Sequence, residues 1–344
     1  VPADGKYRVR VTDHLSRGAA NFVYRIEFQA VKPKLTLSIP RVARYSQSRQ
    51  TIYVARGNRF ATLLSASRAN FGGELTLEGN ELPAGITLVA PNMPANMSTM
   101  PLVFEAAIDA PLSGKLIHFQ ARHIDETTGI VGSFRNTADM IRGGPGQSIY
   151  WQGHVQKLAI AVVDELPFHL EIVQPKAPIV RNGRMSLKVV ARRKEGFKGA
   201  INVQFPFRSP GIGASSSINI PADKTEILYP ITANGNAALG NWPVYVIGSS
   251  DYKGAAWVSS QMASLTVAEP HVAITMQRTS CEQGQPAQVL CTIDHKTPFE
   301  GEATVQLIGI PAKTAVETLK FTKGVNEITF NVTTQTDSPA GKHK

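Results

Sequence analysis

Cysteine is almost missing: two thiols, Cys281 and Cys291, stand in 344 residues. So sparse a supply excludes a disulfide-stapled miniature fold. With no Cys-x-x-Cys spacing and only a lone His295 nearby, it offers no zinc site either. No apolar run approaches the ~18 residues that a membrane-crossing helix needs. The Gly-x-Ser-x-Gly elbow of serine hydrolases is absent, so Ser215-Ser216-Ser217 and Ser249-Ser250-Asp251 read as strand-edge and turn residues. No glycine-rich phosphate loop opens a helix, and no loop of spaced Asp and Asn offers a calcium cage. The chain therefore presents no catalytic residue, no cofactor site and no metal site, and it reads as non-enzymatic.

Acidic residues are in the minority, 26 against 36 Lys and Arg, which leaves a formal charge of +10. An excess of that sign suits an anionic partner or a solvated basic surface. The densest basic cluster, Arg192-Arg193-Lys194 with Lys198, has no aromatics interleaved for base stacking and no nucleic-acid motif around it. Nucleic acid is therefore not the expected partner. The one tight group of His and carboxylates is His123, Asp125 and Glu126. It has the chemistry for metal ligation or acid–base work, but nothing else in the sequence converges on it, so it reads as a solvated strand end.

What is plentiful is strand and turn material. The chain is 42% hydrophobic, with 28 Gly and 22 Pro among many Val, Ile and Thr, which favours short strands joined by turns. The stretch Phe71-Gly72-Gly73-Glu74-Leu75-Thr76-Leu77 returns as Phe197-Lys198-Gly199-Ala200-Ile201-Asn202-Val203 and as Phe299-Glu300-Gly301-Glu302-Ala303-Thr304-Val305. Pro83, Pro210 and Pro311 follow at a nearly constant distance, and Gly114, Gly240 and Gly341 mark a later turn in the same register. Self-similarity of this kind is the signature of tandem units. We expect an all-β chain of antiparallel sandwiches over residues 34–167, 168–270 and 271–344, preceded at 1–33 by two strands, Lys6–Val11 and Asn21–Phe28. The third unit stops just after Gly341, so it should leave a sheet edge and part of its core uncovered.

Short proline-bearing joints, Glu165-Leu166-Pro167 and Ala268-Glu269-Pro270, suggest a semi-stiff rod. The first unit also carries a long insertion near 125–156. It holds Gly143-Gly144-Pro145-Gly146 and then Ile149-Tyr150-Trp151. Tyr150 and Trp151 have two readings: they stack on a sugar or anchor a partner, or they cap the core where the loop folds back.

The stretch Asp4 to Asp13, with Gly18 and Phe22-Val23-Tyr24-Arg25-Ile26, resembles the closing strands of a bacterial pre-peptidase C-terminal domain, a small β-sandwich of exported proteins. The three later repeats resemble immunoglobulin-like modules of large exported bacterial proteins. The resemblance implies a secreted or cell-surface setting. It also implies a non-catalytic spacer or binding scaffold, which touches other domains of the same polypeptide and a surface glycan or protein. The other reading it permits is accessory domains of a secreted peptidase or hydrolase. Val1-Pro2-Ala3-Asp4-Gly5 has neither the basic start nor the apolar core of a signal peptide. Since the first and last repeats look cut, the chain reads as an excerpt. An exported setting would permit Cys281 to bridge Cys291, or Cys291 to pair elsewhere, while two reduced thiols remain the plain alternative.

Overall fold

Alternating apolar residues become strands with one dry face. Leu35 and Leu37 of Lys34–Ser38 (β1) are buried while their neighbours are not, as a period of two residues demands. The computed structural model describes residues 4–43, 46–144 and 148–342. Among them every regular element is a strand, apart from a single 3-10 turn at Glu126–Thr128.

The first sandwich continues through Ile52–Ala55 (β2), Arg59–Ala69 (β3), Leu75–Asn80 (β4), Ile86–Val89 (β5) and Thr99–Ala106 (β6). It then runs through Ser113–His123 (β7), Val131–Phe134 (β8), Asn136–Arg142 (β9), Ile149–Val155 (β10) and Leu158–Val163 (β11). The strand order is β2-β11-β7-β8-β1-β3-β6-β5, with β4 also on β7 and with β9 and β10 forming a separate ribbon. Phe60, Phe104, Phe119 and Phe134 fill the space between the sheets.

The second sandwich comprises Phe168–Ile172 (β12), Ile179–Val180 (β13), Arg184–Arg193 (β14), Ile201–Gln204 (β15), Ile212–Ala214 (β16) and Ser217–Ile220 (β17). Glu226–Ala233 (β18), Gly240–Val244 (β19), Ile247–Asp251 (β20), Ala255–Ser259 (β21) and Ala263–Ala268 (β22) complete it. The third has Val272–Met276 (β23), Ala287–His295 (β24), Glu302–Val305 (β25), Thr314–Val316 (β26), Leu319–Thr322 (β27) and Glu327–Thr334 (β28).

One sheet keeps its order in all three: β1-β3-β6-β5, β12-β14-β18-β16 and β23-β24-β28-β26. Phe71, Phe197 and Phe299 immediately precede the equivalent strands β4, β15 and β25, and the three landmark prolines lead into β5, β16 and β26. Each phenylalanine packs an aromatic neighbour at the strand end: His123 at 6.3 Å, Phe168 at 5.5 Å and Phe321 at 6.0 Å. The glycine after it serves for different reasons. Gly73 (φ 108°) makes room for the His123 ring, whereas a Cβ on Gly199 would meet Phe197 and Ser250 at 2.7 Å. The chain is a tandem of immunoglobulin-like β-sandwiches.

Three features differ from expectation. Lys6–Val11 and Asn21–Phe28 form no strands: residues 4–33 make no ladder, and every one of them is exposed. A two-stranded ribbon is marginal without a sheet or helix to cover it, and Phe22, Tyr24 and Phe28 are exposed here. Second, the stretch near 125–156 is not wholly an insertion. Within it β8 joins β7 and β1 in the sandwich, with Gly132 and Phe134 turned inward. Third, the joint between the first two sandwiches is packed more closely than the linker suggests. Phe207, Tyr245 and Ile247 of the second lie in the apolar cluster of the first. The Arg49 guanidinium lies 4.7 Å over the Trp257 ring, and Asn58 Nδ2 donates to the Phe168 carbonyl at 2.9 Å. Burial there pushes the Tyr245 hydroxyl pKa up and that of Arg49 down. Among the described residues no ladder crosses Pro167 or Pro270.

Among the described residues β25 of the third sandwich pairs only with β27, whereas β15 pairs on both sides with β17 and β20. Ala303, Val305 and Leu307 are accordingly half-buried where Ile201, Val203 and Phe205 are buried.

Gly132 is a tight joint of the first sandwich, because a Cβ there would stand 2.2 Å from Leu35 Cγ and 2.7 Å from the Leu35 carbonyl. Gly132→Val should destabilise that unit by about 1–3 kcal/mol, the usual range for overpacking. Urea unfolding followed by a probe in β1 would show it; an unchanged midpoint would contradict the close packing of β8 on β1.

Candidate functional site

The β9–β10 ribbon stands apart from the sandwich that carries it. Its root is fixed by a buried Asn136, whose Oδ1 accepts from the Ile39 amide at 2.9 Å and whose Nδ2 donates to Gln50 Oε1 at 2.5 Å. One step out, the Arg41 guanidinium grips Asp139 with two bonds of 2.5 and 2.7 Å, and Gln152 Nε2 adds a third at 2.9 Å. The Asp139 side chain is shielded from solvent. Those bonds, from Arg41 first and Gln152 next, hold its pKa down to about 2 against an ordinary 3.8, the expected response of a carboxylate that accepts charge-assisted hydrogen bonds.

Beyond Asp139 the ladder breaks its rhythm twice. Ile149 pairs with Arg142, Trp151 with Ile141 and Gln152 with Asp139, so Tyr150 on one strand and Met140 on the other are extra residues. Two such bulges in opposite strands restore the register while they bend the ribbon and re-aim its side chains. Four large apolar groups sit here in the open: Met140 (66% exposed), Ile141 (57%), Tyr150 (68%) and Trp151 (64%). Tyr150 and Trp151 therefore do not cap the core, because the bulged ribbon projects them away from it. Pro145 and Gly146, in the run between the two strands, lie outside the described residues.

Sequence reasoning singled out the aromatic pair and missed Met140 and Ile141. The available signal was a second pair of consecutive large apolar residues in a segment otherwise polar. In a regular half-exposed strand such residues should alternate, and doublets facing one another mark bulges.

The remaining candidates are structural. His123 ends β7, and its Nδ1 accepts from the Asp125 amide at 3.0 Å. Asp125 caps the 3-10 turn by accepting from Thr127 N at 3.0 Å and Thr127 Oγ1 at 2.6 Å, and these bonds lower its pKa. Among the described residues no three His, Cys, Asp or Glu side chains gather as a metal site. The Cys281–Cys291 bridge is not formed: Cys281 is exposed in the loop before β24, while Cys291 is buried. Cys291 occupies the place of Val189 in the second sandwich, since Val289 pairs with Phe330 as Leu187 pairs with Tyr229. Burial raises its thiol pKa, so the proton stays on.

No protein-family model matches the chain, and no curated protein matches it in sequence. Among solved structures it is similar to a marsupial T cell receptor, with 11% identity over 90% of this chain and 94% of that one and a TM-score of 0.22. It is also similar to the fibronectin(III)-like modules of CbhA from Clostridium thermocellum, with 10% identity, 68% and 93% covered and a TM-score of 0.20. The chicken CNTN1 FN1-FN3 domains share 12% identity over 89% and 91%, at a TM-score of 0.20. At these TM-scores the likenesses carry no argument, and the sandwich architecture rests on the ladders. Among the described residues no helix is long and apolar enough to cross a membrane.

Because the folded-state pKa of Asp139 is depressed, its hold on the ribbon is intact above the ordinary 3.8 and is lost as the pH falls through about 2. The indole N–H signal of Trp151, assigned by its loss in Trp151→Phe, reports this in solution. In Arg41→Ala it should narrow as the ribbon loosens, and acid should drive the wild-type signal toward the same state. A signal indifferent to both would show that the ribbon is held by other means.

Proposed function

We propose that this chain is a non-catalytic binding scaffold of an exported or cell-surface protein, and that it meets a glycan or protein partner through the β9–β10 ribbon. The observation that carries the proposal is the coincidence of a rigidly anchored root with four exposed large apolar side chains beyond it. Exposed aromatics on a fixed element bind well, because little side-chain freedom is lost and the ring brings both apolar area and a polar edge. A cluster of that size, rather than a scattered single residue, marks a contact surface. The reading of export leans on the resemblance of Asp4 to Asp13, with Gly18 and Phe22 to Ile26, to the closing segment of a pre-peptidase C-terminal domain. The tandem sandwiches then space and present the ribbon alongside other parts of the polypeptide.

Interface energy concentrates in a few aromatic anchors, and their removal costs about 2 kcal/mol or more. The immobilised whole chain, displayed to a glycan array and to an extract of exported proteins, should retain at least one partner. Tyr150→Ala with Trp151→Ala should weaken that retention roughly thirtyfold with unchanged thermal unfolding. Equal retention by the double variant would clear the ribbon of this role.

A further inference from the structure

A second surface, in the second sandwich and independent of the ribbon, has the chemistry of a sugar site. On the outward face of β17-β15-β20-β21 the ladders place Asn219 opposite Asn202, Asn202 opposite Ser249, and Ser249 opposite Trp257. Four strands in register thus carry one row of amide, amide, hydroxyl and indole, roughly 14 Å across at the usual strand spacing. A depression of about 590 Å³ lies over this row, with Ala200 and Asp251 also in its lining.

The polar groups in the depression are not consumed by the fold. Asn202 Nδ2 donates to Asn219 Oδ1 at 2.8 Å. That bond leaves the Asn202 carbonyl oxygen as an acceptor and the Asn219 amide nitrogen as a donor. Neither these atoms, nor Ser249 Oγ, nor the Asp251 carboxylate has a partner among the described residues. Ser250, by contrast, points to the core side and donates to the Ala200 carbonyl at 2.7 Å, which pins the floor. Trp257 is half-buried: it packs against the apolar cluster of the first sandwich, with the Arg49 guanidinium over its ring 4.7 Å from the centroid.

We propose that this depression binds a neutral saccharide. A pyranose presents a C–H face that packs on an indole and a rim of hydroxyls that each donate and accept, and the row supplies both requirements side by side. Charge selects against an acidic sugar despite the basic chain. Asp251 is the one charged residue in the lining, and a carboxylate beside a uronate is repelled. The site extends the binding-scaffold reading but uses none of its residues, so the two stand or fall separately.

The test uses the whole chain carrying Trp151→Phe, which silences the ribbon, with Trp fluorescence and calorimetry as readouts. The probes are neutral hexasaccharides of glucose, mannose, xylose and N-acetylglucosamine, with hexagalacturonate as the charged arm. At least one neutral probe should bind and should perturb tryptophan emission. Asn202→Ala with Asn219→Ala should weaken it about tenfold or more, as expected when two sugar hydrogen bonds are lost. Asp251→Asn should leave neutral binding within a few fold and should admit hexagalacturonate. Binding of none of the neutral probes would overturn the proposal, as would binding indifferent to the double asparagine change. Retention of hexagalacturonate alone, abolished by salt, would show only a basic surface. Loss of partner retention in the ribbon variants without change here would leave this site standing, and the reverse would leave the ribbon standing.

Discussion

A strand in this chain has two faces, and in water one of them must be covered by another sheet. That requirement shapes the whole molecule. Where a second sheet is present, alternate residues such as Leu35, Leu37, Phe60 and Phe104 keep 8% or less of their surface exposed. Each such side chain contributes about 1.5–3 kcal/mol by leaving water. Where none is present, strand-like sequence does not become strand. The segment 4–33 alternates as regularly as β1 and carries larger aromatics, yet it makes no ladder and stays exposed. Pattern proposes a strand, but cover decides whether it forms.

The same rule separates the sites from the scaffold. Beyond Asp139 neither face of the β9–β10 ribbon is covered, and the ribbon persists because polar anchors replace apolar ones at its root. Asn136, Gln50, Arg41 and Asp139 do for it what a facing sheet does elsewhere. Freed from core packing, its large side chains are available for something outside the chain. On the second sandwich the outward face of β15 and β20 is likewise uncovered next to the joint. There the residues are amides and hydroxyls, with an indole steadied from the neighbouring sandwich. One surface is apolar and projecting, the other polar and recessed, and they suit different kinds of contact.

Much of the architecture was legible in the sequence because it is written three times. The Phe-x-Gly landmarks and their trailing prolines lead into equivalent strands, since each begins the same step from one sheet to the other. Less was legible wherever tertiary contact overrides local pattern. Val131–Phe134 sits inside what reads as a loop, and only its docking beside β1 makes it a strand. The closeness of the first joint depends on Tyr245 and Ile247 facing a neighbour rather than their own core, which no linker composition reveals. Tyr150 and Trp151 stood out as residues, but their exposure follows from paired bulges, and the polar row of the second sandwich exists only once the register of four strands is known.

The central claim is that three successive sandwiches with a shared strand order carry the chain, and that the segment before them folds into none of them. Residue-resolved native-state hydrogen exchange of the whole chain tests this most directly. The account predicts three separate blocks of slow amides, centred on β3 with β6, β14 with β18 and β24 with β28. Residues 4–33 should exchange at the rate of an open chain. Slow amides over Lys6–Val11 and Asn21–Phe28, or fast exchange through one of the three central pairs, would contradict it.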